Sequence, residues 1–135
     1  MVWSCLVSIL PGMAQTEKLT DYVNPFVGTD GYGNVYPGAQ IPFGGIQISP
    51  DTDSRFYDAA SGYKYNHLTL MGFSLTHLSG TGIPDLGDFL FIPGTGEMKL
   101  EPGTHEDPDQ GYRSRYSHDK EWASPNYYAV ELADY

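Results

Sequence analysis

Residues 77–87 read HLSGTGIPDLG and bring an imidazole, two small hydroxyls and a carboxylate close together in the chain. An imidazole near a carboxylate is common equipment for general acid–base catalysis, so His77 and Asp85 are candidates for moving a proton. The same composition also builds a plain turn, since Gly, Ser, Asp and Pro each favour one for separate reasons. Asp58, Asp85 and Asp88 are the loop acids best placed for chemistry that needs two carboxyl groups facing each other across a bond. Tyr57 beside Asp58 joins an aromatic face to a carboxylate, which suits a ligand with one apolar face and several hydroxyls. A turn carrying an exposed tyrosine is the plain alternative for that pair.

Other constellations narrow the chemistry. The long loop at 28–45 is dense in glycine, but no lysine follows any of its glycines as a phosphate-cradling P-loop requires. Where a G-x-G-x-x-G fingerprint begun at Gly31 would end in glycine, the chain has Tyr36. These glycines still allow backbone N–H and C=O groups to come close to a ligand. Asp51-Thr52-Asp53 starts like a calcium loop, yet Arg55 occupies the third ligand position, and a solvated acidic turn is the expected reading. Glu106, Asp107 and Asp109 read the same way. His67, His77, His105 and His118 form no i, i+4 pair around a glutamate and have no cysteine beside them, which argues against zinc.

These side chains need elements to position them. No window sustains an apolar i, i+3, i+4, i+7 repeat. Sixteen Gly, 10 Pro, 11 Tyr and 6 Phe point instead to many short strands and turns, so an all-β fold is expected. Alternation predicts a short strand at Gly45–Ser49, ended by Pro50, and another over Ser61–Tyr65. Leu68–Leu75 predicts a buried strand interrupted at Gly72, and Phe89–Ile92 a fully buried one stopped by Pro93-Gly94. Residues 77–87 connect these two. The stretch 101–121 is charged, with two turn-like clusters at Glu101-Pro102-Gly103 and Asp107-Pro108-Asp109, and Tyr127–Leu132 reads as a last strand still needing a partner. About five strands make an incomplete sandwich or barrel, so the chain reads as part of something longer.

Composition closes off whole classes of partner. Seventeen acids against seven Lys and Arg give a formal net charge of −10, which repels phosphate backbones and anionic membrane surfaces. Neutral polar ligands, sugars among them, remain compatible. Met1 to Ala14 carries no charge, is apolar, and ends in a small-x-small pattern. It reads as the remnant of a secretory signal cleaved after Ala14, too short to span a bilayer. Cys5 lies inside it, so the cleaved chain would have no thiol and no disulfide.

Four stretches together carry more than any one alone: DYVNPFVGTDGYGNVYPGAQIPFGGIQISPDT at 21–52, SGYKY at 61–65, GFSLTHLSGTGIPDLGD at 72–88 and SRYSHDKEWASPNYYAVEL at 114–132. In this order they resemble the N-terminal region of glycoside hydrolase family 92, a family of calcium-dependent exo-acting α-mannosidases. The resemblance implies that residues 15–135 are part of an N-terminal β-sandwich, incomplete here. In the full protein it would pack against an (α/α)6 barrel that this chain lacks. It implies an inverting mechanism, in which an acid protonates the leaving oxygen while a base activates water on the opposite face. Acid, base and calcium ligands would all come from the missing C-terminal domain, leaving this piece with none of them and inactive alone.

What the resemblance leaves to this chain is substrate-binding loops. Phe43 and Gly44 would approach the terminal mannose through backbone groups, and Tyr57 and Asp58 would line the leaving-sugar subsite. His77, Ser79 and Asp85 would support the loop wall. Substrates would be α-mannoside glycans of N-glycan or mannan type, in α-1,2 or a related linkage, met in the periplasm or outside the cell. Tyr57 stands where many α-1,2-mannosidases carry Trp, and Ala59-Ala60 is blander than the larger residues often found there. On the residues alone, a non-catalytic carbohydrate-binding β-sandwich module and a structural sandwich without a ligand both stay open.

Overall fold

The structure, a computed structural model, describes residues 17–42, 44–80, 82–85 and 87–134. The signal expected at 1–14, the candidate Phe43 and the hydroxyl of Thr81 lie outside the described residues. Six strands appear among them: β1 (Ser49–Asp51), β2 (Thr69–Leu70), β3 (Gly72–Ser74), β4 (Leu90–Phe91), β5 (Ser114–Ser124) and β6 (Tyr127–Leu132). They form two antiparallel sheets, ordered β1-β3-β4 and β2-β5-β6. Helix among the described residues is confined to 3₁₀ turns at Leu19–Tyr22, Tyr57–Ala59 and Pro108–Gln110. The all-β expectation holds, and the architecture is that of a β-sandwich.

The break expected in 68–75 proves to be the point where the chain changes sheets. β2 and β3 are separated by Met71 alone yet pair with different partners, β5 and β4. Gly72 takes a φ of +154°, and a Cβ there would sit 2.7 Å from the Phe91 carbonyl oxygen. Only glycine suits both demands.

Other expectations shift. Pro50 does not end a strand but lies in the middle of β1, opposite Phe73. β1 is the outer strand of its sheet, where a missing N–H interrupts no ladder. Residues 61–65 form no strand. Their backbone serves loops instead: Gly62 O accepts the Thr52 and Asp53 N–H groups at 2.7 and 3.1 Å, and the Tyr65 N–H reaches Thr29 O at 2.9 Å. β4 is not buried, since it is the other outer strand, with Phe91 59 % exposed.

β5, the longest strand, begins in the stretch read only as charged, where no strand was expected. It buries Ser114, Tyr116 and Glu121, and its register against β6 slips between Tyr116 and Glu121. Such a bulge re-aims the side chains on either side of it. β6 has the partner it needs in β5, reached through Pro125-Asn126 with Asn126 at φ +63°. Proline followed by a left-handed asparagine is the signature of a type II turn.

The interior is short of aliphatic residues. Among the described residues the buried apolar side chains are Ala59, Ala60, Tyr63, Leu70, Met71 and Tyr116. Around them lie Asp51, Thr52, Asp53, Lys64, His77, Arg113 and Glu121, all buried. The expected solvated turn at 51–53 is therefore overturned: Asp51, Thr52 and Asp53 are 4 %, 0 % and 1 % exposed. Buried charges on this scale require partners.

Candidate functional site

Tyr57 and Asp58 lie in the 3₁₀ turn Tyr57–Ala59, flanked by the glycine-bearing loops 28–35 and 77–87. The Tyr57 ring stands 5.8 Å from that of Tyr32, tilted by 57°. On the other loop, a Cβ added to Gly82 would overlap the Tyr57 ring. Position 82 is thus a seat for that ring which only glycine leaves open. The Asp58 Oδ2 accepts a hydrogen bond from Lys64 Nζ at 2.5 Å, and the same ammonium donates to Gly31 O at 3.4 Å.

Asn34 ties the three segments together. Its Oδ1 accepts the Ala60 N–H at 3.2 Å and its carbonyl accepts the Gly80 N–H at 2.6 Å. It does so at φ +49°, a left-handed conformation that asparagine tolerates better than most residues. The result is a surface where an aromatic face and a carboxylate are presented together: Tyr57 is 59 % exposed and the Asp58 side chain 43 %. The Lys64 hydrogen bond holds the Asp58 carboxyl below the ordinary aspartate range. Asp58 is therefore an ionised acceptor for hydroxyl protons at neutral pH, and not a proton donor.

The remaining candidates are spread around this surface. Gly44 closes a separate turn with its N–H on Ile41 O at 3.0 Å, and no hydrogen bond joins it to Tyr57 or Asp58. Ser79 is exposed on the 77–87 loop. Asp85 and His77 line one cavity of about 70 Å³ together with Asp51, Ser61 and Ser74. An open groove of about 710 Å³ runs past Ile92, Met98, Leu100 and Tyr112, and none of the candidates lines it.

His77 is buried and fully engaged. Its Nδ1 lies 2.8 Å from Gln47 O, and its Nε2 lies 2.9 Å from both Asp51 Oδ1 and Ser74 Oγ. Both nitrogens are thus taken up, one by a backbone carbonyl and the other by a carboxylate and a hydroxyl. Gly62, at φ +90°, makes this pair fit, because a Cβ there would run into Asp51 Oδ1 and the His77 ring. His77 thus fastens the start of the 77–87 loop to β1 and β3. A catalytic base needs a free lone pair aimed at substrate, and this ring has none to offer.

Two further clusters fill the interior. Burial would raise the Asp53 carboxyl, but hydrogen bonds and charge from Arg55, aided by Arg113, more than offset it and hold it at about 2. Beside it, the rings of His67 and His105 lie 4.0 Å apart, each with its Nδ1 on a threonine hydroxyl: Thr52 at 3.0 Å and Thr69 at 2.8 Å. Burial, with the neighbouring His105, pushes His67 down to about 4. Across β5, Glu121 accepts the Tyr63 hydroxyl at 2.9 Å and the Tyr128 hydroxyl at 2.5 Å, and meets His118 Nδ1 at 2.5 Å. Among the described residues no group of three or more His, Cys, Asp or Glu is arranged to hold a metal ion. Each buried carboxylate is engaged by Arg, His or Tyr, with Asp51 Oδ2 left without a hydrogen bond.

Sequence reasoning missed Lys64, Asn34 and Gly82 as organisers of this surface. Lys64 had one signal, being the lone lysine between positions 18 and 99. Asn34 and Gly82 had none beyond lying in glycine-rich loops.

Comparison with known proteins agrees with this architecture. Residues 22–135 match the sequence profile of the glycosyl hydrolase family 92 N-terminal domain. A curated relative, described as an uncharacterized secreted glycosidase of Arthroderma benhamiae, is 36 % identical over 73 residues, 53 % of this chain and 9 % of its own. The solved structure of the family GH92 glycosyl hydrolase ccman5 superposes with a TM-score of 0.68 at 34 % identity, covering 84 % of this chain and 14 % of that one. An inverting mannosidase of family GH92 from Bacteroides thetaiotaomicron superposes at 0.65 with 29 % identity, covering 87 % and 16 %. The chain therefore spans no more than about a sixth of the length of these relatives. With the profile matched over most of its residues, the chain belongs to glycosyl hydrolase family 92, as its N-terminal domain.

Proposed function

We propose that this chain is the substrate-facing N-terminal part of a secreted, inverting exo-α-mannosidase, and that Tyr57 and Asp58 meet the leaving sugar. The observation that carries the reading is the exposed ring of Tyr57, seated on Gly82, beside a carboxylate that Lys64 keeps ionised. A tyrosine face covers the C–H side of a pyranose, and a carboxylate accepts its hydroxyl protons. Family membership supports the glycosidase role, and the solved relative named an inverting mannosidase supports the sugar and the stereochemistry. The relative named a secreted glycosidase supports a place outside the cytoplasm. An α-1,2 or related linkage is proposed with it, as are Phe43 and Gly44 toward the terminal mannose and His77, Ser79 and Asp85 behind the loop wall.

Inversion needs an acid and a base on opposite faces of the sugar. Asp58 is unsuited to the acid role because it stays ionised, and the buried carboxylates Asp51, Asp53 and Glu121 are enclosed by their partners. Both catalytic groups are proposed to come from residues outside this chain. The calcium proposed with this reading is placed with the catalytic groups. The test is the full-length protein on α-mannosides, with NMR following the anomer released. Release of β-mannose that stops on chelation is expected. Glycan binding without turnover would replace the reading with a carbohydrate-binding module, and release of α-mannose would remove inversion.

A further inference from the structure

We infer that Tyr32 forms a second aromatic contact next to Tyr57, so that the site takes a glycan reaching at least one sugar beyond the leaving residue. This rests on the reading of Tyr57 as the leaving-sugar contact. Tyr32 is 77 % exposed, and a single exposed tyrosine needs no explanation. What distinguishes this one is how firmly its loop is held. The loop closes on itself through the Val35 N–H on Gly28 O and the Gly33 N–H on Asp30 O, both at 3.3 Å.

The two residues beside Tyr32 are also constrained. Gly31 adopts φ +60°, and Gly33 packs so closely on the Gly28 backbone that no side chain fits there. The Tyr32 carbonyl accepts from Asn34 Nδ2 at 3.5 Å. Asn34 in turn holds Ala60 at the end of the Tyr57 turn. Lys64, with only 9 % of its side chain exposed, donates both to Gly31 O and to Asp58. Two independent ties thus hold Tyr32 in a set relation to Tyr57 and Asp58.

The two rings, 5.8 Å apart and tilted by 57°, form one bent aromatic strip instead of a closed stack. Consecutive sugars of an α-linked chain turn relative to each other, so a bent strip can present one ring to each. Fixing the rings before binding removes an ordering cost that flexible loop tyrosines would incur. The net charge of −10 excludes anionic polymers from such a surface and leaves neutral glycans.

The test compares the full-length protein with its Tyr32→Ala and Tyr32→Phe forms on an aryl α-mannoside, an α-mannobiose and a linear α-mannotriose. The expected result for Tyr32→Ala is a loss in kcat/KM that grows with chain length. It should reach about tenfold on the trisaccharide, mainly through KM, with Tyr32→Phe restoring most of it. Equal losses on all three substrates, or none on the trisaccharide, would overturn the Tyr32 contact while leaving the Tyr57 reading intact. A parent protein that releases mannose from none of the three removes both.

Discussion

Asp51 and His77 stand 26 positions apart in the chain and meet at 2.9 Å, both buried. The contact joins β1 to the head of the 77–87 loop, and the other His77 nitrogen holds Gln47 O from the approach to β1. The loop that carries Gly80 and Gly82 against Asn34 and Tyr57 therefore starts from a buried histidine–carboxylate contact inside the sandwich.

Breaking that pair from one side leaves a buried carboxylate or imidazole without its partner. Asp51→Asn or His77→Gln should each cost about 3–5 kcal/mol of unfolding free energy, measured by urea titration. The double variant should cost clearly less than the sum, because it removes both partners. Strict additivity would mean that the two side chains are not coupled.

Stability should also fall in mild acid. His67 is held at about 4 by burial, below the ordinary histidine value, so the unfolded chain takes up its proton first as pH falls. The stabilisation from its neutral form is complete above about pH 6.5 and is lost progressively toward pH 4. His105, lowered by burial and by Arg113, works in the same direction. Asp53, at about 2, contributes above the ordinary carboxylate value and is lost only in stronger acid. Urea midpoints should therefore drop between pH 7 and pH 5, and His67→Gln should flatten that drop. A curve with the same slope in the variant would remove His67 from the effect.

The sequence carried the parts of this fold that rest on local pattern. β6 was legible because Tyr127–Leu132 has the composition of a strand, and the sheet change at Gly72 showed as a glycine inside an apolar run. β5 was not, because its buried face holds Ser114, Tyr116 and Glu121, and periodicity counts serine and glutamate as surface. The acids at 51–53 were misread for the same reason. Arg113, His105 and His77, which enclose them, lie 24 or more positions away, and the nearby partner Arg55 is itself half exposed and gave no sign of burial. Tyr57 and Asp58 were legible as an aromatic–acid pair. Their supports were not, since Asn34, Lys64 and Gly82 act across loops that only the fold brings together.

Lys64 offers a direct measure of how the candidate surface is held. Lys64→Met keeps the length of the buried stem and deletes the ammonium shared by Asp58 and Gly31. The Asp58 carboxyl, now held low by that hydrogen bond, should rise toward the ordinary aspartate range. Carboxyl carbon shifts followed through an acid titration would show it. An unchanged Asp58 titration would mean that the ammonium does not set its charge.

Gly82→Ala tests whether the loop and Tyr57 act as one unit. The glycine has no positive φ to explain it, so its role lies in the space it leaves for the Tyr57 ring. Alanine there must push that ring aside, and because the ring is largely exposed it can move without disturbing the core. Unfolding free energy should then change by only about 0.5 kcal/mol, as for other surface substitutions. KM for an α-linked mannobiose should rise in the full-length protein, since the face offered to the leaving sugar is displaced. In a Tyr57→Ala background the same substitution should have almost no further effect on KM, because the ring it displaces is already gone. Independent, additive effects of the two changes would show that Gly82 does not act through Tyr57, and the 77–87 loop would then lose its place in the substrate surface.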